Sequence, residues 1–108
     1  NNIHPGEILQ EEFLAPFKIS AYKMSKDTGI SKASLSRILH GKQSITPEVD
    51  FALCSYLGLS EGYFLRLQHL FDLLETKRKR SNGPWIKRAK ALRKLGLKVM
   101  KQAENVAL

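Results

Sequence analysis

The side chains best suited to recognising another molecule lie between residues 31 and 46. Along Ser31-Lys32-Ala33-Ser34-Leu35-Ser36-Arg37-Ile38-Leu39, helical spacing puts Leu35, Ile38 and Leu39 on one face. Lys32, Ala33, Ser34, Ser36 and Arg37 fall on the other. Short polar side chains let a helix backbone come close to a DNA groove, and an arginine guanidinium matches the O6/N7 edge of guanine with two hydrogen bonds. Lys32, Ala33, Ser34 and Arg37 are therefore the expected base-edge contacts, with phosphate contact an open alternative for Lys32 and Arg37. Nothing comparable exists for bond-making chemistry. His4, His40 and His69 lack metal-ligand spacing, Cys54 is the sole cysteine, and no Ser/His/Asp arrangement, glycine-rich phosphate loop or clustered carboxylate motif occurs. The expectation is a binding protein and not an enzyme, with no metal and no cofactor.

A reading helix needs a rigid mount, and the preceding residues supply one. Ser20 is placed to cap a short helix ending at Thr28, and Gly29 is the residue able to take the positive φ of a tight turn. Ser31 caps the next helix. Ser25 is small where the two helices cross, and Met24, Ile30, Leu35 and Ile38 fall where they share a core. Around this corner a backbone clamp is expected. The amides opening a helix near Ser20 and Ala21, and those near Thr46, aim donors at phosphates. Tyr22, Lys26, Ser31, Ser36, Lys42, Gln43 and Ser44 are candidates for further phosphate contacts, an ordinary solvated lysine being the alternative for Lys42. His40 is expected to cap carbonyls at a helix end.

The remaining elements also read as helices, giving an all-α fold. Pro5 suits a first helical position, with Ile8, Leu9 and Phe13 sharing a face before Pro16. Thr46-Pro47-Glu48 opens a fourth helix with Val49, Ala52, Leu53, Tyr56 and Leu57 inward and Gly58 as its stop. Ser60 is placed to cap a fifth, from Glu61 to about Glu75. That helix carries apolar residues around more than half its circumference, so it is either central or shared with a partner. A homodimer interface of Tyr63, Phe64, Leu67, Leu70, Phe71 and Leu74 is the favoured reading.

Charge divides the chain. Residues 1–76 carry seven Lys/Arg against nine Asp/Glu, and residues 77–108 carry eleven against one. DNA binding by the first part must therefore rest on the placement of a few cations and not on bulk charge. The seam from Thr76 to Pro84, where Lys77-Arg78-Lys79-Arg80 meets Ser81-Asn82-Gly83-Pro84, reads as a linker or helix break. The expected organisation is a DNA-binding domain over 1–76 and a basic helical extension over 77–108. In the extension, Trp85, Ala89, Leu92, Gly96, Val99, Ala103 and Val106 recur as a heptad seam, with Lys87, Arg88, Lys90, Arg93, Lys94, Lys98 and Lys101 on other faces. A second DNA-backbone contact, an RNA contact and a helix packed on the body all stay open for it. No run of about 18 apolar residues offers a membrane span. A single cysteine precludes an internal disulfide and fits the cytoplasm. The first residue is Asn, with no signal-peptide pattern after it, so the sequence is expected to begin inside its natural chain.

Several motifs in fixed order resemble one family. His4-Pro5-Gly6-Glu7-Ile8-Leu9, Glu11-Glu12-Phe13-Leu14 and Pro16 are similar to the opening of the HigA-type antitoxin branch of the Xre/Cro helix-turn-helix family. Gly29-Ile30-Ser31, His40-Gly41-Lys42, Ile45-Thr46-Pro47-Glu48 and Leu57-Gly58 continue the resemblance. Phe64-Leu65-Arg66-Leu67-Gln68 and Phe71-Asp72-Leu73 resemble the family's Trp-Leu-Asn-Leu-Gln and Tyr-Asp-Leu signature. The likeness covers roughly residues 4–75. It implies a five-helix, lambda-repressor-like helix-turn-helix domain. It also implies a dimeric repressor that binds a palindromic double-stranded operator and neutralises a toxin ribonuclease encoded beside it. Ser25 stands for the usual alanine, Phe64 and Arg66 for the usual Trp and Asn, and the basic extension lies outside the pattern. A toxin that holds RNA is expected to be basic, so Glu7, Glu11 and Glu12 are the expected toxin-facing residues. A stand-alone Xre-type regulator without a toxin is the alternative, and an interaction module that has lost DNA binding is a third reading.

Overall fold

Local side-chain chemistry starts and stops the short helices. A computed structural model describes residues 2–80 and Arg93. Helix α1 (Pro5–Ile8) runs on into a π-helical segment, Leu9–Leu14, and is followed by α2 (Ala21–Thr28), α3 (Lys32–Leu39), α4 (Pro47–Leu57) and α5 (Tyr63–Arg80). The hydroxyls of Ser20, Ser31 and Thr46 accept the N–H of Lys23, Ser34 and Val49 at 3.0, 3.1 and 3.3 Å. Each cap satisfies a donor that the first helical turn leaves without an intrahelical partner. His4 plays the same part for α1, its Nδ1 accepting the Gly6 N–H at 2.9 Å.

Two elements depart from the sequence expectation. The first helix shares Leu9 and Leu14 as its fully buried residues, while Ile8 and Phe13 are half-buried. The reason is the π-type ladder, in which the Ala15 N–H reaches the Gln10 carbonyl at 2.9 Å and the Ile19 N–H the Leu14 carbonyl at 2.8 Å. Bonds spanning five residues bring side chains five apart onto one face. The fifth helix begins at Tyr63, and its cap is not Ser60. Asp50 of α4 accepts the N–H groups of Gly62, Phe64 and Leu65 at 2.7, 2.9 and 3.1 Å. This carboxylate is buried, and three converging amides stabilise it there. The same helix continues through Lys77-Arg78-Lys79-Arg80 and does not stop near Glu75. Lys and Arg favour helix, and cations favour its C-terminal end, so the basic run of residues 77–80 is helical; the rest of the seam, residues 81–84, lies outside the described residues.

Leu9, Leu14, Met24, Ile30, Leu35, Ile38, Ile45, Leu53, Cys54 and Phe64 form one buried cluster. Phe13, Tyr63 and Phe64 meet edge to face, with ring centroids 5.0–5.9 Å apart. Phe64 has no exposed surface, so it belongs to the core of its own chain and not to a dimer interface. Its packing against Phe13 and the rest of the buried cluster decided this, because an all-round apolar helix gives no sequence signal for its inner side. Tyr63, Leu67 and Phe71 are half-buried, and Leu70, Leu73 and Leu74 are exposed.

Asn1–Glu75 forms one compact unit and Thr76–Leu108 a second. Of the second, Thr76–Arg80 closes α5 and Arg93 is helical and exposed. The heptad seam from Trp85 to Val106 lies outside the described residues, as do the lysines and Arg88 around it. Among the described residues no helix is long and apolar enough to cross a membrane.

Candidate nucleic-acid interface

The corner between α2 and α3 is held from inside. Gly29 takes φ +80° and its N–H closes on the Ser25 carbonyl at 3.0 Å. The Ser25 hydroxyl donates to the Ile30 carbonyl at 2.5 Å. Thr28 Oγ1 donates to the Met24 carbonyl at 2.6 Å and accepts the Ile30 N–H at 3.2 Å. A small residue at position 25 is thus both a packing necessity and a hydrogen-bond donor that ties the turn to α2. Gly6 of α1 presses on the far end of α3, where an added Cβ would lie 1.7 Å from the Ile38 carbonyl oxygen. Only a glycine permits that approach. With Leu35 and Ile38 fully buried, α3 is fixed in rotation about its axis.

That rotation turns Lys32, Ala33, Ser36 and Arg37 outward as exposed residues, with Ser34 half-buried. The Lys32 ammonium sits 4.4 Å from the centre of the Tyr22 ring, which steadies a flexible side chain by cation–π attraction. Arg37 Nε donates to Gln43 Oε1 at 2.8 Å, and Gln43 Nε2 donates to Ser34 Oγ at 2.6 Å. Gln43, expected as a phosphate contact, is thus joined to two side chains of α3, Arg37 and Ser34. No local pattern announces this, because the residue lies in the loop beyond Gly41 and reaches back over α3.

The loop is itself anchored. The Lys42 N–H meets the Arg37 carbonyl at 2.7 Å, and the Ile45 N–H donates to Gln68 Oε1 of α5 at 2.9 Å. Buried Gln68 also donates to Asp72 at 3.0 Å, so both ends of its amide are used. His40 Nδ1 lies 2.7 Å from the Ser36 carbonyl, at the helix end where a capping role was expected. On the flank, the Tyr56 hydroxyl of α4 donates to Asp27 of α2 at 2.8 Å, and Lys23 lies 3.2 Å from the same carboxylate. Tyr56 first, then Lys23, hold the Asp27 carboxyl below its usual range, and Asp27 in turn raises the Tyr56 phenol. Gln43, Gln68 and the Asp27–Tyr56 pair are the positioning groups that sequence reasoning missed.

Among the expected phosphate contacts, Ser20, Ala21, Tyr22, Lys26, Ser31, Ser36, Lys42, Ser44 and Thr46 are all exposed. The Ser20, Ser31 and Thr46 hydroxyls accept in their caps, which leaves each a proton to donate to a phosphate oxygen. Glu7, Glu11 and Glu12 are exposed on α1 and its π-helical continuation. Cys54 is buried beside Asp50, and that burial raises its thiol above the usual range, leaving it unreactive.

A family model for the Cro/C1-type HTH DNA-binding domain matches residues 11–69, more than half of the chain. Antitoxin HigA-1 of Vibrio cholerae serotype O1 is 31% identical over 72 residues, which are 67% of this chain and 68% of that protein. The chain belongs to the HigA-type antitoxins of the Cro/C1 helix-turn-helix family. Virulence-associated protein I of Dichelobacter nodosus is 35% identical over 71 residues, 66% of each chain, so the match spans about two thirds of that relative. Among solved structures, the Pseudomonas aeruginosa antitoxin HigA with the higBA promoter superposes with a TM-score of 0.73 at 28% identity. The superposition covers 82% of this chain and 94% of that one. The HigA-type family is a DNA-binding one and not enzymatic, so the sequence expectation of a binding protein stands. The family match ends at residue 69 and leaves the basic extension outside it.

Proposed function

We propose that this HigA-type protein is a sequence-specific antitoxin that represses its own toxin–antitoxin operon and neutralises a ribonuclease toxin. The observation that carries the reading is the outward face of α3, where Lys32, Ala33, Ser34 and Arg37 stand on a helix whose rotation is locked by the core. The similar Pseudomonas aeruginosa antitoxin HigA was solved with the higBA promoter, which supports DNA binding by this chain. Lys32, Ala33 and Arg37 read base edges, and the exposed groups at the starts of α2 and α4 and at Lys42 and Ser44 hold the backbone. Two copies paired through Leu70 and Leu74, with Tyr63, Leu67 and Phe71 beneath, would set reading helices about 34 Å apart on a palindrome. Glu7, Glu11 and Glu12 offer acidic surface to a basic toxin, away from the reading face in sequence and chemistry.

The test is fluorescence anisotropy on the DNA upstream of the protein's own gene, with random DNA as competitor, together with co-purification alongside the product of the adjacent gene. With 6–10 phosphate contacts, affinity falls roughly 10³–10⁵-fold between 50 and 200 mM salt. Salt-independent or sequence-blind binding overturns the repressor reading. Operator binding without capture of a ribonuclease leaves a stand-alone regulator and overturns the antitoxin part.

A further inference from the structure

Gln43 stands half-buried beside α3 with both ends of its amide turned inward. Arg37 Nε has only a proton to give, so the Gln43 carbonyl oxygen must face it. The amide nitrogen then necessarily faces the Ser34 hydroxyl, and the assignment of the two ends follows from the network itself. A guanidinium held at Nε can still present its two terminal nitrogens, which are the pair that meets guanine O6 and N7 end-on. Among the described residues no ion pair involves Arg37, and its one side-chain hydrogen bond there is made through Nε.

We propose that Gln43 is a specificity-determining positioning residue: braced by the Ser34 hydroxyl, it locks the guanidinium of Arg37 end-on toward one guanine. This rests on the repressor reading above and deepens it. Arginine has many rotamers to lose, and a residue that fixes its approach before binding reduces what is lost on reaching the base. Ser34, expected to read a base edge, accepts from Gln43 and so braces it, while keeping its own proton to donate. The loop can serve as a brace because Gln68 pins Ile45 and the Arg37 carbonyl pins Lys42, on either side of Gln43.

The experiment is selection of binding sites from random duplex DNA by the full chain, then by Gln43→Ala, Arg37→Ala, Ser34→Ala and the Gln43→Ala/Arg37→Ala double variant. Thermal melting of each variant verifies that the fold is intact. Arg37→Ala identifies the base pair that Arg37 reads. Gln43→Ala is expected to lower discrimination at that same base pair by about fivefold, the factor of one typical net hydrogen bond, without changing the salt slope. In the Arg37→Ala background, Gln43→Ala is expected to add nothing at that position. Ser34→Ala alone, which removes the partner of the Gln43 amide nitrogen, is expected to lower discrimination at the Arg37 base pair. If Gln43→Ala relaxes a different base pair, Gln43 is a direct reader and the proposal fails. It fails equally if Gln43→Ala leaves the selected site and its discrimination unchanged. Failure of the unaltered chain to select any sequence is the distinct result that removes the repressor reading itself.

Discussion

Replacing Asp50 removes the side-chain acceptor that starts α5, and the structure sets the size of the loss. Its Oδ2 accepts the Gly62 N–H at 2.7 Å, and its Oδ1 accepts those of Phe64 and Leu65 at 2.9 and 3.1 Å. Loss of an N-cap costs roughly 1–2 kcal/mol. The Phe64 N–H lies in the core and would be left without a partner, adding about 1–3 kcal/mol. Asp50→Ala is therefore expected to cost about 2–5 kcal/mol, centred near 3. Asp50→Asn keeps the oxygen that serves Phe64 and Leu65 but turns an amide donor against the Gly62 N–H, so it should cost about half as much. A unit the size of Asn1–Glu75 has roughly 4–11 kcal/mol in total, so the alanine variant sits near the edge of folding. Urea unfolding followed by far-UV circular dichroism measures the difference. With m near 1 kcal/mol/M for a domain of this size, the midpoint should fall by about 3 M for Ala and 1–2 M for Asn. A shift below about 1 M for Asp50→Ala with m unchanged would mean that α5 does not depend on this carboxylate, and the capping argument would be refuted.

Other perturbations have equally definite readouts. Gly6→Ala forces a Cβ into the Ile38 carbonyl and should cost about 3 kcal/mol or more, lowering Tm by roughly 12–24 °C; a drop under about 4 °C would contradict the close packing of α1 on α3. Burial holds the His4 imidazole below its usual value, partly offset by Asp72 and Glu7, and its neutral Nδ1 accepts from Gly6. Because the unfolded chain binds that proton more readily, stability is complete above about pH 6.5 and declines as pH falls from there toward the folded value. His4→Gln should flatten this decline in urea midpoints measured at intervals between pH 7.5 and 5, and an unaltered slope would count against it. Lys42→Ala should weaken binding uniformly across DNA sequences and reduce the salt slope by about 1, measured by anisotropy; a loss confined to one sequence would make Lys42 a base reader.

Much of this protein was written in short-range order. The caps at Ser20, Ser31 and Thr46 act over three residues, and the turn at Gly29 depends on one backbone conformation, so residue types and spacing suffice to place them. The outward set Lys32, Ala33 and Arg37 follows from the helical period of Leu35, Ile38 and the residues between them. What acts over longer range was settled only by packing. Asp50 reaches 12–15 residues along the chain to cap α5, and Gln68 reaches 23 back to Ile45. Gln43 reaches back to α3 because Gln68 pins Ile45 and the Arg37 carbonyl pins Lys42, fixing the loop that carries it. Phe64 points inward because the core has a place for it, while the surrounding leucines of α5 look identical in one dimension. Periodicity tells which residues share a face; which of two apolar faces is buried, and which polar side chain finds a distant partner, depends on contacts that the chain makes only when folded.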